Sequence, residues 1–178
     1  MFLTLILKAF SLSCRTITLK NNDNYYTQAL FTYTMAGDTQ LKRFIDAQER
    51  DYEIALAEIR NGRKRGHWMW YVFPQVKGLG FSSTSQHYGI ASLKEAEAYL
   101  RHPVLGQRLI AISNELLNLE NANAADIFGN PDNMKLRSAM TLFAAVKDSD
   151  PVFQQVLDKY FQGKADLQTL TILNRGHS

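Results

Sequence analysis

The chain lacks the devices that staple small domains together. It has a single cysteine, Cys14, which rules out an intramolecular disulfide, and no group of Cys and His residues has zinc-ligand spacing. Charge of neither sign dominates. There are 20 Lys and Arg against 17 Asp and Glu, a net of +3, too small an excess to mark a nucleic-acid binder by itself. No segment sustains the apolar-polar alternation of a half-buried strand. No apolar run approaches the roughly 20 residues of a membrane-spanning helix, and there is no internal repeat. Neither Ser nor His shows the spacing of a nucleophile elbow, so acyl transfer has no support.

What is present fits one domain. A chain of 178 residues with 46% hydrophobic and 21% charged positions lies in the ordinary globular range and can bury a core without metal or cofactor. With one cysteine, the expected setting is reducing and cytoplasmic. At the N-terminus, Phe2-Leu3-Thr4-Leu5-Ile6-Leu7 followed by Ser11-Leu12-Ser13-Cys14 faintly resembles a leader. No cation precedes the apolar stretch, however, and Lys8 interrupts it. A downstream start at Met35 is the other reading, since Asp38 and Thr39 supply a helix cap. Residues 1–34 carry no sustained period and are expected to be a weakly ordered extension, leaving a helical domain over 35–173 and a tail over 174–178.

Helical periodicity then runs through the chain. Leu41, Phe44, Ile45, Tyr52, Leu56 and Ile59 share one face of a helix over 39–61, closed by Gly62. The opposite face, with Glu49, Arg50, Asp51 and Glu53, reads as solvated surface. Residues 62–85 read mainly as a Gly-rich and aromatic loop, in which 67–73 is either a short helix or a buried extended piece. Ser92 and Glu95 form a capping box before a helix over 93–101. Pro103 opens a helix with Leu105, Leu109, Ile112 and Leu116 on its stripe. Further helices are expected over 124–128, over 134–146, from a cap at Asp150 and Pro151 to Gly163, and from Asp166 to about residue 173. Six or seven helices with short connections make an all-α single compact domain.

Chemistry concentrates in Gly62-Arg63-Lys64-Arg65-Gly66-His67-Trp68-Met69-Trp70-Tyr71-Val72-Phe73-Pro74-Gln75, which holds both tryptophans of the chain. Arg63, Lys64 and Arg65 between two glycines can present cations to a phosphate, or can simply be a solvated turn that favours the preceding helix's C-terminus. Trp68, Met69, Tyr71, Val72 and Phe73 read as a core plug, whereas His67 and Trp70 are placed to reach a pocket, where an aromatic face beside cations suits a stacked ring. In Ser82-Ser83-Thr84-Ser85-Gln86-His87-Tyr88, the residues Gln86 and His87 can hydrogen-bond a sugar or phosphate, or the segment can be a helix cap followed by a buried Tyr88. Arg137, near the start of a helix, is a further phosphate candidate, though a lone Arg there also reads as surface.

The same run, with Tyr88-Gly89-Ile90, His102-Pro103-Val104-Leu105-Gly106, Ile127-Phe128-Gly129 and Lys135-Leu136-Arg137-Ser138-Ala139-Met140-Thr141-Leu142-Phe143, resembles an uncharacterised bacterial domain family sometimes labelled calpastatin-like. That resemblance spans about residues 41–173 and implies a small, mainly helical domain without an established activity. The order of Ser83-Thr84-Ser85-Gln86-His87-Tyr88, Arg137 to Met140 and Leu157-Asp158-Lys159-Tyr160-Phe161 is also similar to that of the NADAR proteins, which implies N-glycosidic hydrolysis in ADP-ribose derivatives. Gln86 stands where a Glu would align, and an amide cannot act as a general base.

The leading expectation is therefore a domain that binds, or hydrolyses at an N-glycosidic bond, a phosphorylated nucleotide ligand related to ADP-ribose or NAD. Arg63, Lys64, Arg65 and Arg137 would meet phosphate, Trp70 a ring, and His67, Gln86 and His87 the ribose. The alternative is a non-catalytic interaction domain using the same segment, since Trp, Tyr and Arg are the residues of binding hot spots. Nucleic-acid binding through the stripe is a third reading, and it predicts a steep salt dependence.

Overall fold

A computed structural model describes residues 23–175, with side chains from Gln40 onward. Two units are distinguished in the chain, Met1–Thr39 and Gln40–Ser178, and the packing below is that of the second. Among the described residues there are nine helices: α1 (Asp23–Arg60), α2 (Met69–Val72), α3 (Ser83–Tyr88), α4 (Leu93–Arg101), α5 (Leu105–Asn118), α6 (Ala124–Phe128), α7 (Asp132–Ala144), α8 (Val152–Phe161) and α9 (Leu167–Arg175). The all-α expectation holds. The count exceeds six or seven because of two short helices: α2, where the sequence allows a short helix or an extended piece, and α3, which begins at the end of the segment read mainly as loop.

The local signals act as expected where they involve caps. The Ser92 hydroxyl accepts from Glu95 N at 3.3 Å, while the Glu95 carboxylate reaches back to Ala91 N at 2.7 Å. Asp150 accepts from Val152 N at the start of α8, and Asp166 from Thr169 N at the start of α9. Each side chain satisfies an amide that the helix cannot. Ser82 does the same for α3 through Ser85 N, which is why a run of hydroxyls otherwise suited to a loop makes one and a half turns of helix. α1 begins at Asp23, well ahead of position 39, where the apolar period first becomes clear. The leader reading lies on residues 1–22, outside the described residues.

The core is aromatic at its centre. Phe44, Tyr99, Phe143 and Phe153 contact in sequence at centroid separations of 5.2, 5.3 and 5.7 Å, linking α1, α4, α7 and α8. A second group, Trp68, Phe73 and Phe128, closes a triangle with sides of 6.1–6.4 Å and fixes α2 and α6 to the same core. All but Phe128, at 6% exposure, are 1% exposed or less, so burial of aromatic surface supplies much of the stabilisation. A parallel bridge between Val76 and Ile90 closes the 76–90 excursion that carries α3 and holds its ends together.

Helix α5 starts where α4 ends, and the approach requires glycine. A Cβ on Gly106 would lie 1.9 Å from the Leu100 carbonyl oxygen, a distance no side-chain adjustment relieves because the obstacle is backbone. Gly106→Ala is therefore expected to destabilise the fold by roughly 3 kcal/mol, near the upper end for an overpacked core position, as read from the urea midpoint by far-ultraviolet circular dichroism.

Candidate functional site

The basic run leaves α1 at Gly62, whose φ of +67° is the left-handed cap conformation glycine adopts without strain. The chain then runs irregularly to α2, and its side chains alternate. Arg63, Arg65 and His67 are exposed, whereas Lys64 is half-buried and Trp68 fully buried. The backbone of this strap is pinned by Glu58, in the last turn of α1. Its carboxylate accepts from Arg65 N at 2.7 Å, from Gly66 N at 3.0 Å and from the Trp68 indole Nε1 at 2.8 Å. Burial pushes the Glu58 carboxyl up, but the two amides, the indole and the nearby Lys64 outweigh it and hold the group below its ordinary value. Gly66 is required by the same turn, since a Cβ there would come 2.7 Å from the Trp68 ring.

Lys64 turns inward. Its ammonium lies 2.6 Å from Asp132 Oδ2 and 5.1 Å from the Trp68 ring centroid, and its side chain is only 7% exposed. The other oxygen of Asp132 takes Lys135 at 2.7 Å, and Lys135 sits 3.8 Å over the ring of half-buried Trp70. Two cations thus share one carboxylate, each stacked on a tryptophan. Burial raises the Asp132 carboxyl, but the hydrogen bonds from Lys135 and Lys64 prevail, so that it too stays below its usual range.

The remaining expected site residues are distributed elsewhere. Arg137 lies two residues beyond Lys135 on α7, so the two side chains do not share a face. It donates to the carbonyls of Lys164 and Ala165, both at 2.8 Å, and so braces the turn before α9. The Gln86 amide donates to the Gly80 carbonyl and ties α3 to its own loop. His87 is exposed, its ring 4.7 Å edge-on to Tyr88, and Tyr88 contacts Tyr71 at 5.2 Å and Phe44 at 5.9 Å. The structure thus joins Lys64 to Trp70 through Asp132 and Lys135, and leaves Arg63, Arg65 and His67 as an outer edge. It gives Arg137 and Gln86 bracing partners of their own.

Asp51, read as solvated surface, is half-buried and accepts a short hydrogen bond from the Tyr71 hydroxyl. Glu58, Asp51 and Asp132 all escaped a reading based on cations and aromatics. The one signal for the first two is the seven-residue spacing that puts both on one side of α1. Three cavities lined by described residues, of about 530, 460 and 230 Å³, lie elsewhere, and none of the eight expected site residues lines them. No group of three or more acidic, His or Cys residues suited to a metal occurs among the described residues, nor a helix long and apolar enough to cross a membrane.

These features define an all-α domain whose charged strap is braced on its long first helix. The chain belongs to the family described as "Protein of unknown function (DUF1810)", whose profile matches residues 38–173. It is similar to the conserved hypothetical protein Rv1873 from Mycobacterium tuberculosis, whose crystal structure aligns with a TM-score of 0.74 at 47% identity, over 75% of this chain and 96% of that one. No curated protein matches the chain. The expected kinship to an uncharacterised helical family stands, and neither name bears a calpastatin or NADAR designation.

The strap's dependence on Glu58 has a defined pH signature. A carboxyl held low in the folded state contributes stability that is complete above its unfolded value and is lost as pH falls through the folded one. Glu58→Gln is expected to cost about 2 kcal/mol at neutral pH, because a charged acceptor of three donors becomes a neutral one. It should also flatten the acid limb of the stability profile below the ordinary carboxylate range, measured by urea denaturation at stepped pH.

Proposed function

We propose that the outer edge of the strap, formed by Arg63, Arg65 and His67, binds a phosphorylated ligand of nucleotide type, with ADP-ribose and NAD as the first compounds to try. The observation that carries this reading is the alternation along the strap. The main chain is held by Glu58, while Arg63 and Arg65, two residues apart, are both exposed and have no ion-pair or hydrogen-bond partner among the described residues. A main chain already held loses little further freedom on binding, and each guanidinium matches phosphate oxygens in a planar fork.

Lys64 has a lesser part in this reading, because Asp132 already neutralises it. Trp70, with one face under Lys135, is left its remaining surface for a ring. Arg137 and Gln86, each engaged with backbone carbonyls, support the scaffold. Binding is favoured over N-glycosidic hydrolysis, since Gln86 supplies no base and its amide is committed to Gly80. A cytoplasmic setting, where such ligands occur, accords with this reading.

The alternative, a non-catalytic protein-interaction domain, draws on the absence of these residues from the three cavities. An open surface bearing Arg and a half-exposed Trp suits a protein hot spot as well as a small ligand. Calorimetry separates the two. ADP-ribose should bind the wild-type chain, and Arg63→Ala/Arg65→Ala should weaken it at least tenfold, or about 1.4 kcal/mol, with affinity falling as salt rises. No heat with millimolar ADP-ribose or NAD, on protein shown to be folded, overturns the ligand reading in favour of the interaction domain.

A further inference from the structure

Seven residues before Glu58, on the same side of α1, stands a second carboxylate with an unusual setting. Asp51 receives the Tyr71 hydroxyl on Oδ2, while its Oδ1 accepts no hydrogen bond among the described residues. Tyr71 is held rigidly from behind. Its carbonyl accepts from Gln48 Nε2 at 2.7 Å and from the Tyr99 hydroxyl at 3.4 Å, and both Gln48 and Tyr99 are buried. Burial, and then the Asp51 carboxylate, push the Tyr71 phenol well up, which keeps it a donor at neutral pH. The half-buried ring of Tyr88 lies 5.2 Å from that of Tyr71, and the exposed ring of His87 lies 4.7 Å from that of Tyr88, nearly perpendicular to it at 82°.

A carboxylate with one oxygen oriented by a phenol and the other without a partner among the described residues can accept hydrogen bonds from neighbouring hydroxyls, the pattern by which acidic side chains recognise ribose. The exposed His87 ring, packed edge-on against half-buried Tyr88, suits a heterocycle. The rise of an α-helix separates Asp51 from Glu58 by about 10 Å along the axis, comparable with the extent of a nucleoside diphosphate. Glu58 fixes the backbone of Arg65. One helix thus spaces the two groups as such a molecule spaces its sugar from its phosphates.

We infer that Asp51, oriented by Tyr71 and bordered by Tyr88 and His87, is the sugar-recognising end of the phosphate-binding edge proposed above, so that the ligand class is a nucleoside diphosphate with a free ribose diol. The inference rests on that reading and adds a second, chemically distinct end to it. Asp51 is here a binding residue, and Tyr71 positions it. If Asp51 only braced α2 against α1, its loss would alter stability without discriminating between ligands.

Three probes decide the matter by calorimetry on the full chain: ADP, its 2′,3′-dideoxy analogue, and inorganic pyrophosphate. The wild-type protein is expected to bind ADP at least tenfold more tightly than either of the others. Asp51→Asn is expected to remove that advantage and to leave pyrophosphate affinity within twofold, whereas Arg65→Ala weakens all three. Because the comparison of ADP with its dideoxy analogue uses the wild-type chain, it stands even if the Asp51 variant does not fold. Equal binding of ADP and the dideoxy analogue, or unchanged ADP affinity in folded Asp51→Asn, overturns the sugar-end assignment and leaves the phosphate edge intact. Failure of the wild type to bind both ADP and pyrophosphate overturns both.

Discussion

The Glu58 carboxylate, by accepting two backbone amides and one indole N–H, determines the course of the chain from Arg65 to Trp68. Without it these donors would need other partners in a region where Trp68 is 1% exposed, and an unpaired donor in such a place costs more than a formed hydrogen bond returns. Everything outward of the strap follows from this anchor. Because the backbone cannot roll, alternate side chains are sorted into an inner set of Lys64 and Trp68 and an outer set of Arg63, Arg65 and His67. Three consecutive cations would repel one another less if spread by free rotation. Here the middle one is withdrawn to a counter-ion and the outer two remain exposed.

That counter-ion links distant parts of the sequence. Asp132 opens α7, where a negative charge is favoured by the helix dipole, and it gathers Lys64 from the strap and Lys135 from its own helix. A carboxylate shared by two ammonium groups keeps one net positive charge, and the two tryptophan faces absorb part of it. The arrangement couples the strap to α7, while Arg137 on another face of α7 couples that helix to the turn before α9. α7 is thereby tied by polar contacts on more than one side and by Leu136, Met140 and Phe143 in the core. This accounts for its low amphipathicity in the sequence: it is buried nearly all round.

The fold was legible because its determinants are local. Ser92, Asp150 and Asp166 act as caps through amides two or three residues away, and stripes such as Leu105, Leu109, Ile112 and Leu116 report burial through helical period alone. α2 and α3 were not legible as helices with certainty. Four to six residues are too few for a period, and they are helical because Trp68, Phe73 and the Val76–Ile90 bridge fix their ends. Within the candidate site the cations and aromatics were visible by type, but their roles depend on partners far along the chain. Lys64 is inward because of Asp132, sixty-eight positions further along the chain, and Asp51 is engaged because of Tyr71. An acidic residue on the polar stripe of a helix looks the same in sequence whether it faces water or a phenol, so for Glu58 and Asp51 the only mark is their seven-residue spacing.

The same logic explains why the site is open and yet ordered. Enclosed pockets obtain affinity by burying ligand surface, and their side chains are held by the surrounding core. Arg63 and Arg65 are exposed and line none of the three cavities described, so order at this edge comes from the main chain, held by the Glu58 carboxylate and by the Lys64 N–H donating to the Ile127 carbonyl at 2.7 Å. A ligand meeting this edge gains charge complementarity and loses little conformational freedom of the protein, but it leaves much of its own surface in water. Affinity then depends on how many separate groups the ligand engages along α1, each held by its own anchor. Phosphate at the Glu58 level alone would bind weakly and with strong salt dependence. A molecule long enough to reach the Asp51 level as well adds a directional, less screened contact, and selectivity would reside there rather than in the more conspicuous cations.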